Sequence, residues 1–308
     1  MKLFLRQCIF ILLLVLSKEN SAQTQNVRFD LFSGTNGITL GKINGMARDK
    51  YGFLWFSDQS NRCIIRFDGS HMVRYQNDLQ NPNSLGGYYP ECLAVDSSGN
   101  IWIGFYGMGL DKFDPVANKF THYRHSDKDP ESLGNDFVSV VLADHFGNIW
   151  AGSFSGLDLL DQETGKFKHF KHKNDDAKSL SCDTVRALYE DKAGDLWAGT
   201  GFAFADDKNG GLNLFHRDNG TFTSYMHDPK DPQSLIANKV RAIFEDSYGN
   251  FWVGTEGDGL HTMDRRTGKF TRYPYNPSKP NQLSRTSLQG LYDHITFITE
   301  DADRKICK

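Results

Sequence analysis

Five tryptophans are the only ones in the chain, and they stand at Trp55, Trp102, Trp150, Trp197 and Trp252, spaced 47, 48, 47 and 55 residues apart. Each closes the same seven-residue frame, D-x-x-G-x-φ-W. Asp49 and Gly52 precede the first tryptophan, followed by Asp96 and Gly99, Asp144 and Gly147, Asp191 and Gly194, and Asp246 and Gly249. A second marker, a leucine ending a Pro/Asp/Ser-rich stretch, recurs at Leu85, Leu133, Leu180, Leu235 and Leu283. Two independent markers on one period require a stack of like supersecondary units.

Within a unit the residues spell four short strands. Val240 to Glu245 is β-branched and aromatic, as are Val185 to Glu190 and Phe137 to Ala143. The Asp that follows can bond the backbone of its own turn, and the Gly three residues on supplies positive φ in a tight hairpin. Phe251-Trp252-Val253 makes strand two, Gly259 to Met263 strand three and Lys269 to Tyr273 strand four. Third strands also begin at Gly109, Gly156 and Gly211, whereas the first unit departs with Cys63-Ile64. Four strands per repeat with no helical period predict an all-β chain, a β-propeller of four-stranded blades with five full repeats and the start of a sixth in an incomplete ring. The tryptophan then fills the wedge between neighbouring sheets.

The two ends break the pattern. Lys2 and Arg6, an apolar run from Cys8 to Leu16 and the small residues Ser21-Ala22 predict a cleaved export signal over 1–22. The apolar run is too short to cross a bilayer of ~30 Å, so no span is expected in a mature chain placed in the periplasm. Propeller repeats are assigned to 23–293, with an off-pattern tail over 294–308. A sixth unit starts after Leu283 with Leu288 to Asp293, but its turn Asp then falls at His294, its Gly at Phe297 and its Trp at Glu300. A shifted remnant over Asp301 to Ile306 is the alternative, with Arg304 and Cys307 standing where Gly and Trp belong. The expectation is a truncated or frame-shifted form of a longer chain. Val27 to Phe32 resembles a fourth strand meant to complete a last blade, and the resulting unpaired edge predicts sticking or oligomers.

Composition closes off several functions. The net charge is −3, or −5 once a leader with three bases and one acid is removed, which excludes a nucleic-acid binder driven by a basic surface. Cys63, Cys92, Cys182 and Cys307 form no C-x-x-C pair and are too sparse to staple a fold, so buried free thiols are expected. There is no G-x-S-x-G elbow, H-E-x-x-H or phosphate loop, and the recurring Asp residues are used in turns. His122 with His125 and His169 with His172 are spaced like metal pairs, yet three residues apart on a strand they face opposite sides. No metal, cofactor or catalytic residue is assigned.

Recognition is expected on the loops after strand two. Four residues beyond each tryptophan the chain reads Gln59, Tyr106, Phe154, Gly201 and Glu256, which vary inside a constant frame. The fourth unit is eight residues longer, and its insertion carries Phe202 and Phe204, suited to stacking on a sugar, with Asp206 and Asp207 to accept hydroxyl hydrogen bonds. A partner contact, or packing of that loop over its own blade, is the alternative. The proline-rich connections, such as Asp228 to Leu235, repeat too faithfully to set specificity.

The D-x-x-G-x-φ-W core, with Asp114 leading to Phe120-Thr121-His122-Tyr123 and Asp264 to Phe270-Thr271-Arg272-Tyr273, resembles the two-component regulator propeller repeat over roughly 27–293. The resemblance implies the periplasmic sensor region of Bacteroidetes hybrid two-component systems, seven-bladed, with oligosaccharide ligands and possible propeller-mediated homodimers. The family's membrane and kinase modules are not read in this sequence, so no enzymatic activity is carried over. A protein-interaction scaffold remains the alternative reading, followed by a propeller glycosidase or lyase.

Overall fold

The computed structural model describes residues 34–202, 209–256, 259–273 and 295–307. The leader, the segment Val27 to Phe32 and the sixth-unit start at Leu288 to Asp293 lie outside the described residues. Every described strand belongs to an antiparallel sheet, and the described residues contain no helix.

Five four-stranded blades follow one another in chain order. Blade one comprises Ile43–Arg48, Leu54–Asp58, Cys63–Phe67 and Met72–Gln76. Blade two comprises Pro90–Val95, Ile101–Phe105, Leu110–Asp114 and Lys119–Tyr123. Blade three comprises Val138–Ala143, Ile149–Ser153, Gly156–Leu160 and Phe167–Phe170. Blade four comprises Val185–Glu190, Leu196–Thr200, Gly211–His216 and Thr221–Tyr225, and blade five Val240–Glu245, Phe251–Thr255, Gly259–Asp264 and Lys269–Tyr273. Within each sheet the strands lie in sequence order, and the first strands of successive blades abut one another, so these are the inner strands. No strand pairing joins the last blade to the first among the described residues. This is the open, radial arrangement expected of an incomplete propeller.

The tryptophans hold the blades together as the repeat demands. Trp55 packs with Ile101, Ile103 and Phe113 of blade two, and Trp102 with Val138 and Ile149 of blade three. Trp150 packs with Leu196 and Phe215 of blade four, and Trp197 with Phe251 and Val253 of blade five. All four are 0–1% exposed. At ~25 cal/mol per Å² of apolar surface, each such indole contributes roughly 4–6 kcal/mol of gross burial energy. Trp252 packs on Ile295, Ile298 and Ile306 and stays half-buried.

The turn Asp does more than shape its hairpin. Its Oδ1 accepts backbone N–H groups, as in Asp191, which caps Ala193 and Asp195 at 3.0 Å each. Its Oδ2 accepts the tryptophan indole N–H, at 2.9 Å in blades one to four and 2.8 Å in blade five. The buried indole donor is therefore satisfied by a residue six positions earlier in the same repeat. The turn glycines have φ of +91° (Gly52), +93° (Gly99), +84° (Gly147), +88° (Gly194) and +86° (Gly249), the left-handed region that a side chain resists.

The residues after 294 correct the expectation of an off-pattern tail. Ile295 sits against Gly254 as Val138 sits against Gly104, Val185 against Gly152 and Val240 against Gly199. The Glu300 carboxylate accepts the Ser247 N–H at 2.8 Å, as Glu245 accepts Lys192 at 3.0 Å. Asp301 then closes the repeat turn, with Arg304 N–H to its carbonyl at 3.0 Å, matching Gly249 to Asp246 at 3.0 Å. Short strands Thr299–Glu300 and Ile306–Cys307 flank it. The shifted alternative is the one adopted: Arg304 takes the glycine position with φ +63°, and Cys307 takes the tryptophan position. Counting from Leu283 misplaced the frame because Ile295, the counterpart of Val185 and Val240, stands twelve positions after that leucine, against five from Leu180 to Val185 and from Leu235 to Val240. Nor are all the thiols buried: Cys63 is buried, Cys92 and Cys182 are half-buried, and Cys307 is exposed.

Candidate ligand site at the channel mouth

Each inner strand carries one residue more than its neighbour can pair. The register slips between Ile43 and Gly45, Pro90 and Cys92, Val138 and Val140, Val185 and Ala187, and Val240 and Ala242. The unpaired residues are Asn44, Glu91, Ser139, Arg186 and Arg241, all polar, at the same place in five consecutive blades. A bulge leaves one residue out of the ladder and re-aims its side chain. Repetition of the bulge therefore turns one polar residue per blade away from the inter-blade core.

These side chains converge with the variable residues after strand two. In four blades the backbone N–H of that residue bonds the carbonyl just before the inner strand: Gln59 to Lys42, Tyr106 to Tyr89, Gly201 to Thr184 and Glu256 to Lys239, each at 2.9 Å. Glu91 accepts the Asn44 amide at 2.7 Å and the Gln59 amide at 3.4 Å, so blades one and two are joined there. Ser139 donates to the Val185 carbonyl, joining blades three and four. Arg241 pairs with Glu256 at 2.5 Å within blade five. The field at Arg186 of blade four includes Arg241 and Glu256 of blade five and Glu91 and Tyr106 of blade two.

An aromatic arc completes the mouth. Tyr106 meets Phe137 edge-on at 4.9 Å between ring centroids, Phe137 stacks on Phe154 at 5.6 Å, and Phe154 meets Phe202 at 5.6 Å. Tyr106 is 51% exposed and Phe137 38%. The Arg186 guanidinium lies 6.0 Å from the Phe154 ring centre. Rings with open faces beside hydrogen-bonding groups suit a ligand with both apolar and polar surfaces.

Of the residues singled out in the sequence, Tyr106, Phe154 and Phe202 lie in this arc, and Gln59 and Glu256 lie in the polar set. Phe204, Asp206 and Asp207 lie outside the described residues. The five bulge residues and Phe137 escaped sequence reading. A signal was present, since each bulge residue stands eleven positions before its tryptophan and varies as freely as the residue four positions after it.

The histidine pairs are committed elsewhere. His122 bonds Asp111 at 2.8 Å and the Pro82 carbonyl at 3.1 Å, and His169 bonds Asp158 at 2.6 Å and the Pro130 carbonyl at 2.9 Å. His125 and His172 hold the Leu133 and Leu180 carbonyls at 2.8 and 2.5 Å. They brace the connecting loops. Grooves of about 590 and 440 Å³ lie at equivalent turns of blades three and five, on the face opposite the mouth, and follow from the repeat itself.

Comparison with known proteins agrees with this architecture. The two component regulator propeller family matches residues 179–202 and 234–257, each running from a connecting serine, Ser179 or Ser234, into the loop after strand two. Two segments of the chain, in its fourth and fifth units, match two component regulator propeller repeats. No curated protein sequence matches the chain significantly. Among solved structures, the extracellular domain of a protein assigned as a hybrid two-component system from B. thetaiotaomicron is 21% identical, with a TM-score of 0.65 over 91% of this chain and 39% of that one. A second such domain from the same organism is 16% identical, with a TM-score of 0.56 over 88% of this chain and 37% of its own. Virginiamycin B lyase from Staphylococcus aureus is 13% identical, with a TM-score of 0.59 over 80% and 74%. At these identities the likeness is one of fold. The chain spans about two fifths of the first sensor domain.

Proposed function

We propose that this propeller is the extracytoplasmic ligand-sensing part of a two-component signalling system and that it recognises glycan fragments at the channel mouth. The carrying observation is the convergence of Tyr106, Phe137, Phe154 and Phe202 with the bulge residues of five blades. Sugar rings offer apolar faces to aromatic side chains and hydroxyls to amides and carboxylates, and both are supplied within this one region. The extracellular placement of the two hybrid-system domains of like fold supports an exported location.

The test is titration calorimetry of the full chain against a panel of neutral and acidic oligosaccharides. At least one is expected to bind, and Phe154→Ala is expected to weaken it about tenfold, the scale of a lost stacking contact. No heat with any glycan, together with self-association in sedimentation, would instead support a protein-interaction scaffold.

A further inference from the structure

Five arginines near the blade seams and the mouth are hydrogen-bonded, and Arg186 differs from them. Arg124 donates to the carbonyls of Leu110, Tyr123 and Gly86 and to Asp111. Arg217 bridges Asp144 at 2.8 Å and Glu190 at 3.1 Å, and Arg265 bridges Asp191 at 2.6 Å and Glu245 at 2.8 Å. Arg272 holds the Asp231, Ser234 and Leu235 carbonyls and the Ser234 hydroxyl. Arg241, beside the mouth, is paired with Glu256. Arg186 alone in this group makes no hydrogen bond or ion pair among the described residues; its guanidinium lies over the Phe154 ring.

A guanidinium carries five donors in a rigid fork, and those of half-buried Arg186 are left to solvent or to an acceptor that a ligand brings. The nearby carboxylates do not supply one. Glu256 is engaged by Arg241, and Glu91 by Asn44 and Gln59. Burial and the neighbouring Arg241 both act against the Arg186 charge, while Glu256 and Glu91 favour it from a distance. An anion bound at Arg186 would offset the repulsion from Arg241.

We infer that Arg186 forms an anion subsite within the mouth and that the ligand is an acidic saccharide, a sugar ring carrying a carboxylate or a sulfate ester. The anionic group takes the Arg186 fork in a bidentate bond, and the ring lies against the aromatic arc beginning at Phe154. This rests on the glycan-binding reading and narrows it.

Calorimetry of the full chain with trigalacturonate, galactotriose and a sulfated galactose disaccharide tests it. Trigalacturonate or the sulfated sugar is expected to bind, the stronger of the two naming the acid, and Arg186→Gln is expected to weaken that binding tenfold or more. Arg186→Lys is expected to recover part of the loss, because it keeps the charge without the fork. The substituted guanidinium makes no hydrogen bond among the described residues, so both variants are expected to melt as the wild type does. Galactotriose binding as tightly as the acids, or acid binding unchanged in Arg186→Gln, would overturn the anion subsite and leave the glycan reading standing. No binding by any of the three sugars would overturn the subsite, and silence across the wider glycan panel would remove the glycan reading as well.

Discussion

His261 and Asn213 occupy one position in adjacent blades and perform one task with different chemistry. Asn213 accepts the Ser181 N–H at 3.0 Å and donates to the Ala198 carbonyl at 3.1 Å. His261 accepts the Ile236 N–H on Nε2 at 3.0 Å and faces the Val253 carbonyl with Nδ1 at 3.1 Å, so the neutral ring donates from Nδ1. Burial holds His261 down at about 4, against roughly 6.5 in an unfolded chain. The unfolded chain thus binds a proton the folded one refuses. The resulting stability is present above pH ~6.5 and is lost as pH falls toward 4, on the order of 3 kcal/mol. His122 and His169 run the other way. Hydrogen bonds that they donate to Asp111 and Asp158 raise them, so their contribution is present below ~6.5 and fades as pH rises through the folded values. His261→Asn copies blade four, and is expected to fold at neutral pH while flattening the decline between pH 6.5 and 4, read by urea denaturation at a series of pH values.

The blade is a set of clamps built on one turn. Asp144 shows how: burial alone would push its carboxyl up, but hydrogen bonds from Asn148, Trp150 and Arg217 hold it below the ordinary carboxylate range. Arg217 comes from the following blade, so the same oxygen that holds the indole also holds the neighbour. In the sixth unit the frame persists with its two most demanding residues replaced. Arg304 at φ +63° sits where glycine stands five times, at a conformational cost of ~1 kcal/mol or more. Its side chain recovers part of that by lying 5.6 Å from the Tyr248 ring. Arg304→Gly is therefore expected to stabilise the chain by about 0.5–1 kcal/mol, measured as a raised urea midpoint with an unchanged slope. A lowered midpoint would mean that the contact with Tyr248 outweighs the backbone strain.

Across the whole propeller, each blade's buried apolar side chains meet those of its neighbours in sequence, as in a repeat array where stability is a sum of unit and interface terms. Blades two, three and four are packed on both sides, whereas Trp252 of blade five remains half-buried under the sixth unit. Opening is expected to start at the ends. Hydrogen exchange read by mass spectrometry should show Ile101–Phe105 and Ile149–Ser153 most protected, with Phe251–Thr255 and Thr299–Glu300 exchanging first. Uniform protection from end to end would indicate a single cooperative unit instead.

Sequence alone determined the blade, because its demands are local. A tight hairpin needs Asp and a positive-φ Gly within seven residues of the indole they support, so the pattern survives in the text of the chain. It also located the variable residues Tyr106, Phe154 and Phe202. The sixth unit was misread because Ile295, the counterpart of Val240, stands twelve positions after Leu283 where the earlier units have five, and a leucine count carries no record of such a change. The mouth was decided by tertiary structure. Asn44, Glu91, Ser139, Arg186 and Arg241 look like ordinary strand residues until a bulge lifts each from its ladder and the radial stacking brings five distant segments to one end of a shared axis.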